Sequence, residues 1–141
     1  MTQANIVTMT GHEQQKSMTI DGAHLERMTL GDRSLEREVL EIFARQTLLT
    51  LERIAGAAAE QAAAAAHTLK GSARGIGAWR VAQAAEWLEQ AVGKGDESDI
   101  CAAIAELDAV SREARVAIGL RLAEHGDGTA SESLGDRSRG H

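Results

Sequence analysis

The chain has 141 residues, with 15 Lys and Arg against 21 Asp and Glu for a formal net charge of −6, and it contains no proline, no tyrosine, one phenylalanine and two tryptophans. That length suits one domain with a modest core, and an alanine-rich chain so poor in aromatic residues favours helix nearly throughout and leaves little material for a sheet. The acidic balance and scattered basic residues exclude general nucleic-acid binding, the single Cys101 excludes an internal disulfide, and no apolar run is long enough for a bilayer span or a secretory signal, so a reducing cytoplasm is the expected location.

In chain order, residues 1–18 are polar, lack a sustained period and read as a flexible arm. Asp21 is a good N-cap for a short first helix. Gly31 breaks that pattern, and Asp32 can cap a long helix whose core side runs through Leu35, Val39, Leu40, Phe43, Leu51 and Ile54, ending at Gly56. The next helix is expected from about Ala58 to Arg74, stopped by Gly75 and Gly77. A further helix turns Val81, Ala84, Ala85, Leu88, Ala91 and Val92 inward. After the turn from Gly93 to Asp96, a last helix capped by Ser98 or Asp99 presents Ile100, Ile104, Leu107, Val110 and Ala114. Residues 126–141, rich in Ser, Gly and charge, read as a disordered tail. The sum is an all-α chain: an antiparallel four-helix bundle over 19–125 with a short additional N-terminal helix.

The informative segment is Ala62 to Ala78, where one imidazole stands on an alanine-rich helix. Positions three and four apart share a helix face, so Ala63, Ala64, His67, Lys70, Gly71 and Arg74 form one stripe. Ala62, Ala65, Ala66, Leu69, Ala73 and Ile76 recur at core-facing spacing, and Leu69 lies about 200° around the axis from His67. His67 is therefore expected to face solvent among methyl groups, a bare glycine and two cations. A partner's backbone can approach it closely.

A second residue follows from hairpin arithmetic. If the helices flanking residue 78 are antiparallel, positions whose numbers sum to about 156 share a height, which pairs His67 with Glu89 at about 16 Å from the turn. Glu89 can accept the Nδ1 proton and leave Nε2 as the nucleophile. Glu86 and Gln90 are near enough in height to be rivals.

His67-Thr68-Leu69-Lys70-Gly71-Ser72, followed by Gly77-Ala78, resembles the active helix of histidine-containing phosphotransfer (HPt) domains. The resemblance extends upstream through Leu30-Gly31-Asp32, Leu35, Glu38, Leu40 and Phe43, and downstream through Leu88-Glu89 and Gly93-Lys94-Gly95-Asp96. It implies a phosphorelay carrier that takes a phosphoryl group from the receiver domain of a hybrid histidine kinase onto His67 and hands it to a response regulator's receiver, with no kinase activity of its own. It also implies that Glu89 bonds the active imidazole and that any Mg²⁺ is held by the receiver, leaving this chain without a cofactor. Lys70 is placed to stabilise the phosphoryl group, and Gly71 supplies room. Ala63, Ala64, Gly71 and Arg74 would meet the partner. A monomer that binds neither membrane nor nucleic acid is expected.

Duller readings stand beside these. A lone helix histidine is usually a surface residue, Lys70 an ordinary solvated charge and Glu89 a surface glutamate. Trp79 and Trp87 read as packing, Ser72 as structural, and Cys101 as a buried, inert thiol. His12, His24, His125 and His141 lie outside any ligand spacing. Three rival functions remain. A metal- or haem-binding bundle would need several converging ligands, which the sequence does not offer. The others are an interaction module whose histidine is never phosphorylated, and a phosphate sink for a receiver.

Overall fold

In a computed structural model, backbone is described for residues 19–140 and side chains for 19–124. The expected N-terminal arm and the side chains of the expected C-terminal tail lie outside these residues. Five helices follow one another: α1 (Gly22–Met28), α2 (Arg33–Ala55), α3 (Ala59–Ile76), α4 (Trp79–Lys94) and α5 (Glu97–Gly140). The described residues contain no strand.

Local chemistry sets most of the helix ends. Asp21 caps α1 by accepting the His24 N–H at 3.1 Å, and Asp32 caps α2 by accepting the Leu35 N–H at 3.1 Å. Between them Leu30 and Gly31 both take positive φ, at 55° and 75°, which turns the chain from α1 into α2. Gly56 closes α2 as expected. Helix α3 runs two residues beyond the expected stop: Gly75 is helical, and only Gly77, at φ 85°, ends the helix as a left-handed cap. The last helix also begins earlier. Asp96, rather than Ser98 or Asp99, holds its start, its Oδ1 accepting the N–H groups of Ser98 at 3.0 Å and Asp99 at 3.2 Å.

The long helices pack in a closed ring, α2 on α3, α3 on α4, α4 on α5 and α5 back on α2, while α1 lies against α3. Leu40, Phe43 and Ile54 of α2, Leu69 of α3, Val81 and Leu88 of α4, and Leu107, Val110 and Ile118 of α5 fill the core. Leu35 is exposed, contrary to its expected core position. The α2 stripe instead passes through Glu36, Leu40, Phe43, Thr47, Thr50 and Ile54. Thr47 and Glu36 among them are satisfied, one locally and one across the fold. Thr47 donates to the Phe43 carbonyl at 2.7 Å, and buried Glu36 accepts from Arg121 of α5 at 2.9 Å.

Among the described residues the α3–α4 contact is the most extensive. Buried alanines serve it, with Ala62, Ala66 and Ala73 on α3 and, on the Glu89 side of α4, Ala82 and Ala85. Methyl groups fill little space, so the backbones can approach closely. The turn joining the two helices is stitched to α1. The Asp21 N–H donates to the Gly77 carbonyl at 2.9 Å, and the Trp79 indole donates to Asp21 Oδ2 at 2.9 Å. Burial by itself would raise the Asp21 carboxyl; the hydrogen bonds from Trp79 and His24 and the nearby charges of His24 and Arg27 outweigh it and hold the pKa below the usual value.

A Cβ on Gly77 would stand 3.0 Å from both Cβ and the carbonyl oxygen of Asp21, at a backbone angle that L-residues rarely adopt. Gly77→Ala is therefore expected to cost about 1–3 kcal/mol in urea unfolding while the helical circular-dichroism spectrum is retained. Wild-type stability in that variant would mean that Asp21 and the turn shift without cost.

Candidate functional site

Helix α3 presents His67 outward, its side chain 69% exposed, while Leu69 on the opposite face is fully buried. Ala64, Thr68, Gly71 and Arg74 are exposed around it and Ala63 is half-buried. At Gly71 a Cβ would meet no atom within 4 Å, so the fold does not demand glycine there.

Helix α4 brings Glu89 to the ring. His67 Nδ1 lies 2.7 Å from Glu89 Oε2, and the other carboxylate oxygen, Oε1, lies 2.6 Å from the Lys70 ammonium. One carboxylate thus spans a ring nitrogen and a cation. With Glu89 ionised, Nδ1 must be the donor, so a neutral imidazole carries its proton there and leaves the Nε2 lone pair free. Lys70 is only 14% exposed, so it is no freely solvated surface charge. Burial alone would raise the Glu89 carboxyl. Hydrogen bonds from Lys70 and His67, and the charges of both, outweigh it and hold Glu89 below the ordinary glutamate value of 4.5.

The rivals of Glu89 have other partners. Glu86 Oε1 accepts from Arg74 at 2.9 Å and stands 3.9 Å from Lys70, while Gln90 donates to Glu86 Oε2 at 3.4 Å. Arg74, expected on the partner-facing stripe, is thereby turned toward α4. Helix spacing alone does not reveal this pairing, although Lys70 and Glu86 also stand at matched heights in the hairpin. The α4 flank of His67 is consequently filled by paired charges.

The α2 flank is open. A groove of about 320 Å³ runs beside α3, lined among others by Ile42, Arg45, Leu49 and Arg53 of α2 and by Thr68. Ile42 and Leu49 are exposed large apolar residues. Elsewhere, Trp79 takes part in the turn through Asp21 and lies tilted against His24 with ring centroids 4.9 Å apart, and Trp87 packs against the core. Cys101 is exposed, which corrects the expectation of a buried thiol; Ala103 and Leu107 take the core side of α5 instead. Among the described residues no group of three or more His, Cys, Asp and Glu side chains is placed to hold a metal ion, and no helix is long and apolar enough to cross a membrane.

The shared carboxylate generates two linked expectations. Nitrogen NMR of wild type should find neutral His67 predominantly in the Nδ1–H form, and Glu89→Ala should shift it toward the Nε2–H form that free imidazole prefers. A group with a lowered folded pKa adds stability above its unfolded value and loses that contribution as pH falls through the folded one. The melting-temperature gap between wild type and Glu89→Gln should accordingly be present at pH 7 and close in acid below 4.5. A gap that persists unchanged in strong acid would show that the charge of Glu89 is not its source.

Comparison with known proteins adds a family. No curated protein and no solved structure matches the chain. A family model described as the Hpt domain matches residues 37–121, more than half of the chain. That span contains α3 and α4 whole, and with them His67, Lys70, Glu86 and Glu89. Hpt domains are phosphocarriers rather than kinases, and they work with receiver domains in two-component phosphorelays. On this match and on the histidine that α3 carries, the chain belongs to the Hpt domain family.

Proposed function

We propose that the chain is a phosphorelay intermediate that accepts a phosphoryl group from a receiver-domain aspartate onto Nε2 of His67 and passes it to the aspartate of another receiver. The observation that carries this reading is the bond from His67 Nδ1 to Glu89, which leaves Nε2 on an exposed ring as the free nucleophile. Phosphoryl transfer through a loose transition state asks little covalent chemistry of the protein and much positioning. Glu89 fixes the tautomer and faces the positive charge that the ring acquires on attack. Lys70 lies one turn from the ring and provides the cation that the phosphoryl oxygens need. Any Mg²⁺ belongs to the receiver.

The docking partner is a receiver domain, first of a hybrid kinase and then of a response regulator. Ala63, Ala64 and Gly71 leave its backbone room to reach the imidazole, and the groove with Ile42 and Leu49 provides the apolar centre that a transient interface of modest area uses. Arg74 lies on the rim. The four long helices act in this reading as an antiparallel bundle, whose rigidity keeps His67 and Glu89 in register. The protein works as a cytoplasmic monomer.

Receiver domains charged with labelled phosphate test the assignment. Wild type should take up label that is acid-labile and alkali-stable, as phosphohistidine is, and His67→Gln should take up none while remaining folded. Full labelling of that variant would move the site elsewhere, and an unlabelled wild type across a broad panel of receivers would favour the interaction-module reading. Lys70→Ala should slow transfer roughly ten- to a hundredfold, the range of a lost charge-stabilising contact. Gly71→Gln should leave stability nearly unaltered, because the space beside Gly71 is open, while blocking transfer by bulk. Unchanged transfer in Gly71→Gln would mean that the partner does not cover this turn of α3.

A further inference from the structure

The α4 flank of His67 carries a balanced set of charges. Lys70 and Arg74 bring two positive groups, and Glu86 and Glu89 bring two negative ones. Glu89 has a direct task at the ring. Glu86 touches neither nitrogen of His67, yet it accepts from Arg74 at 2.9 Å, stands 3.9 Å from Lys70, and is itself approached by Gln90. Its carboxylate is 44% exposed, so it has no core to support. Its charged contacts are with two cations of α3, the helix that carries His67.

We propose that Glu86 is a positioning residue that withholds the positive charge of Arg74 from the phosphoryl group on His67, and so keeps the phosphohistidine ready to give that group up. The inference rests on the reading of His67 as the acceptor. In the transfer step the Nε2 lone pair forms the N–P bond while the bond from phosphorus to the aspartyl oxygen breaks, and that oxygen leaves with the electron pair. The ring then bears phosphorus on Nε2 and the proton on Nδ1, its positive charge facing Glu89. Onward transfer is the same exchange with another carboxylate as nucleophile.

The phosphoryl group adds about two negative charges to a flank that was balanced without it. A second cation free to turn toward it, beyond Lys70, would over-stabilise the phosphorylated state and hinder release. Lys70 stands one turn from His67 and Arg74 two turns away, about 10 Å along the axis, which is comparable to the Debye length at physiological salt. Arg74 also leans toward the N-terminal end of α3, the direction of His67, as helical side chains do. Its pairing with Glu86 diverts it to α4. Glu86 thus acts through the field at the site and not by contact, which makes its effect graded with charge and sensitive to salt.

The test uses the full chain as wild type, Glu86→Gln, Glu86→Lys and Glu86→Asp, each phosphorylated by receiver domains charged with acetyl phosphate. Two quantities are read: the half-life of the phosphohistidine, and the distribution of label between receiver and chain at equilibrium. Glu86→Gln should shift both toward phosphohistidine by roughly two- to threefold, the scale of an exposed ion pair, and Glu86→Lys further in the same direction. Glu86→Asp should restore wild-type behaviour, and the gain of the Gln and Lys variants should shrink between about 0.05 and 0.5 M salt. Gln and Lys variants that match a labelled wild type, or an Asp variant displaced as far as Gln, would overturn the proposal alone. A wild type that takes no label from any receiver would overturn the phosphotransfer reading and this inference with it.

Discussion

Methyl groups line the contact between α3 and α4, and the closeness that they permit is the constraint on which the site depends. Ala62, Ala66 and Ala73 of α3 are buried, and so are Ala82 and Ala85 of α4, which stand two turns and one turn before Glu89 on its own side of that helix. A glutamate reaches a histidine on a neighbouring helix at 2.7 Å only if the two backbones lie near one another and in register. Larger residues along the seam would part the helices and leave Glu89 short of the ring. The turn at Gly77 sets the register from below, and it can do so because the backbone of Asp21 presses against a residue with no side chain. Helix α1, remote from the imidazole, thereby helps to hold it in place.

The surroundings of His67 are divided among several neighbours. The core takes Leu69 and fixes which way the helix faces. Glu89 claims one ring nitrogen and Lys70 together. A carboxylate already held below its ordinary pKa by these partners stays ionised across the whole physiological range, so the tautomer that it imposes does not depend on small changes in pH. Gly71 and the alanines contribute by absence of bulk. None of these arrangements requires a pocket, which suits a member of the Hpt domain family.

The two flanks of α3 differ in kind. Toward α4, ion pairs among Lys70, Arg74, Glu86 and Glu89 occupy the surface; toward α2, an open groove carries apolar Ile42 and Leu49 with Arg45 and Arg53 beside them. A partner seated over His67 would meet fixed charge on one side and apolar surface on the other. That asymmetry gives the interface an orientation, because desolvating paired charges is costly whereas covering Ile42 and Leu49 is favourable.

Composition and spacing alone determined the helical class, the caps at Asp21 and Asp32, the stop at Gly56, the outward face of His67 and the height of Glu89. Each follows from interactions within a turn or two of one helix, or from a rise per residue that every helix shares. Tertiary structure decided the rest. Glu86, Glu89 and Gln90 lie within about one turn of each other, so a height argument cannot choose among them; the azimuth of α4, set by its packing on α3 and α5, turned Glu89 to the imidazole and Glu86 to Arg74. Leu35, one turn before Val39, and Cys101, between Ile100 and Ala102, have apolar company along the chain yet face solvent, because what buries a residue is the helix across from it. Glu36 is the converse: a charge that a local pattern leaves outside is buried because Arg121 arrives from α5 to meet it. Patterns along a chain report what one helix can offer to its surroundings; only the packing of helices far apart in sequence specifies which neighbour receives it.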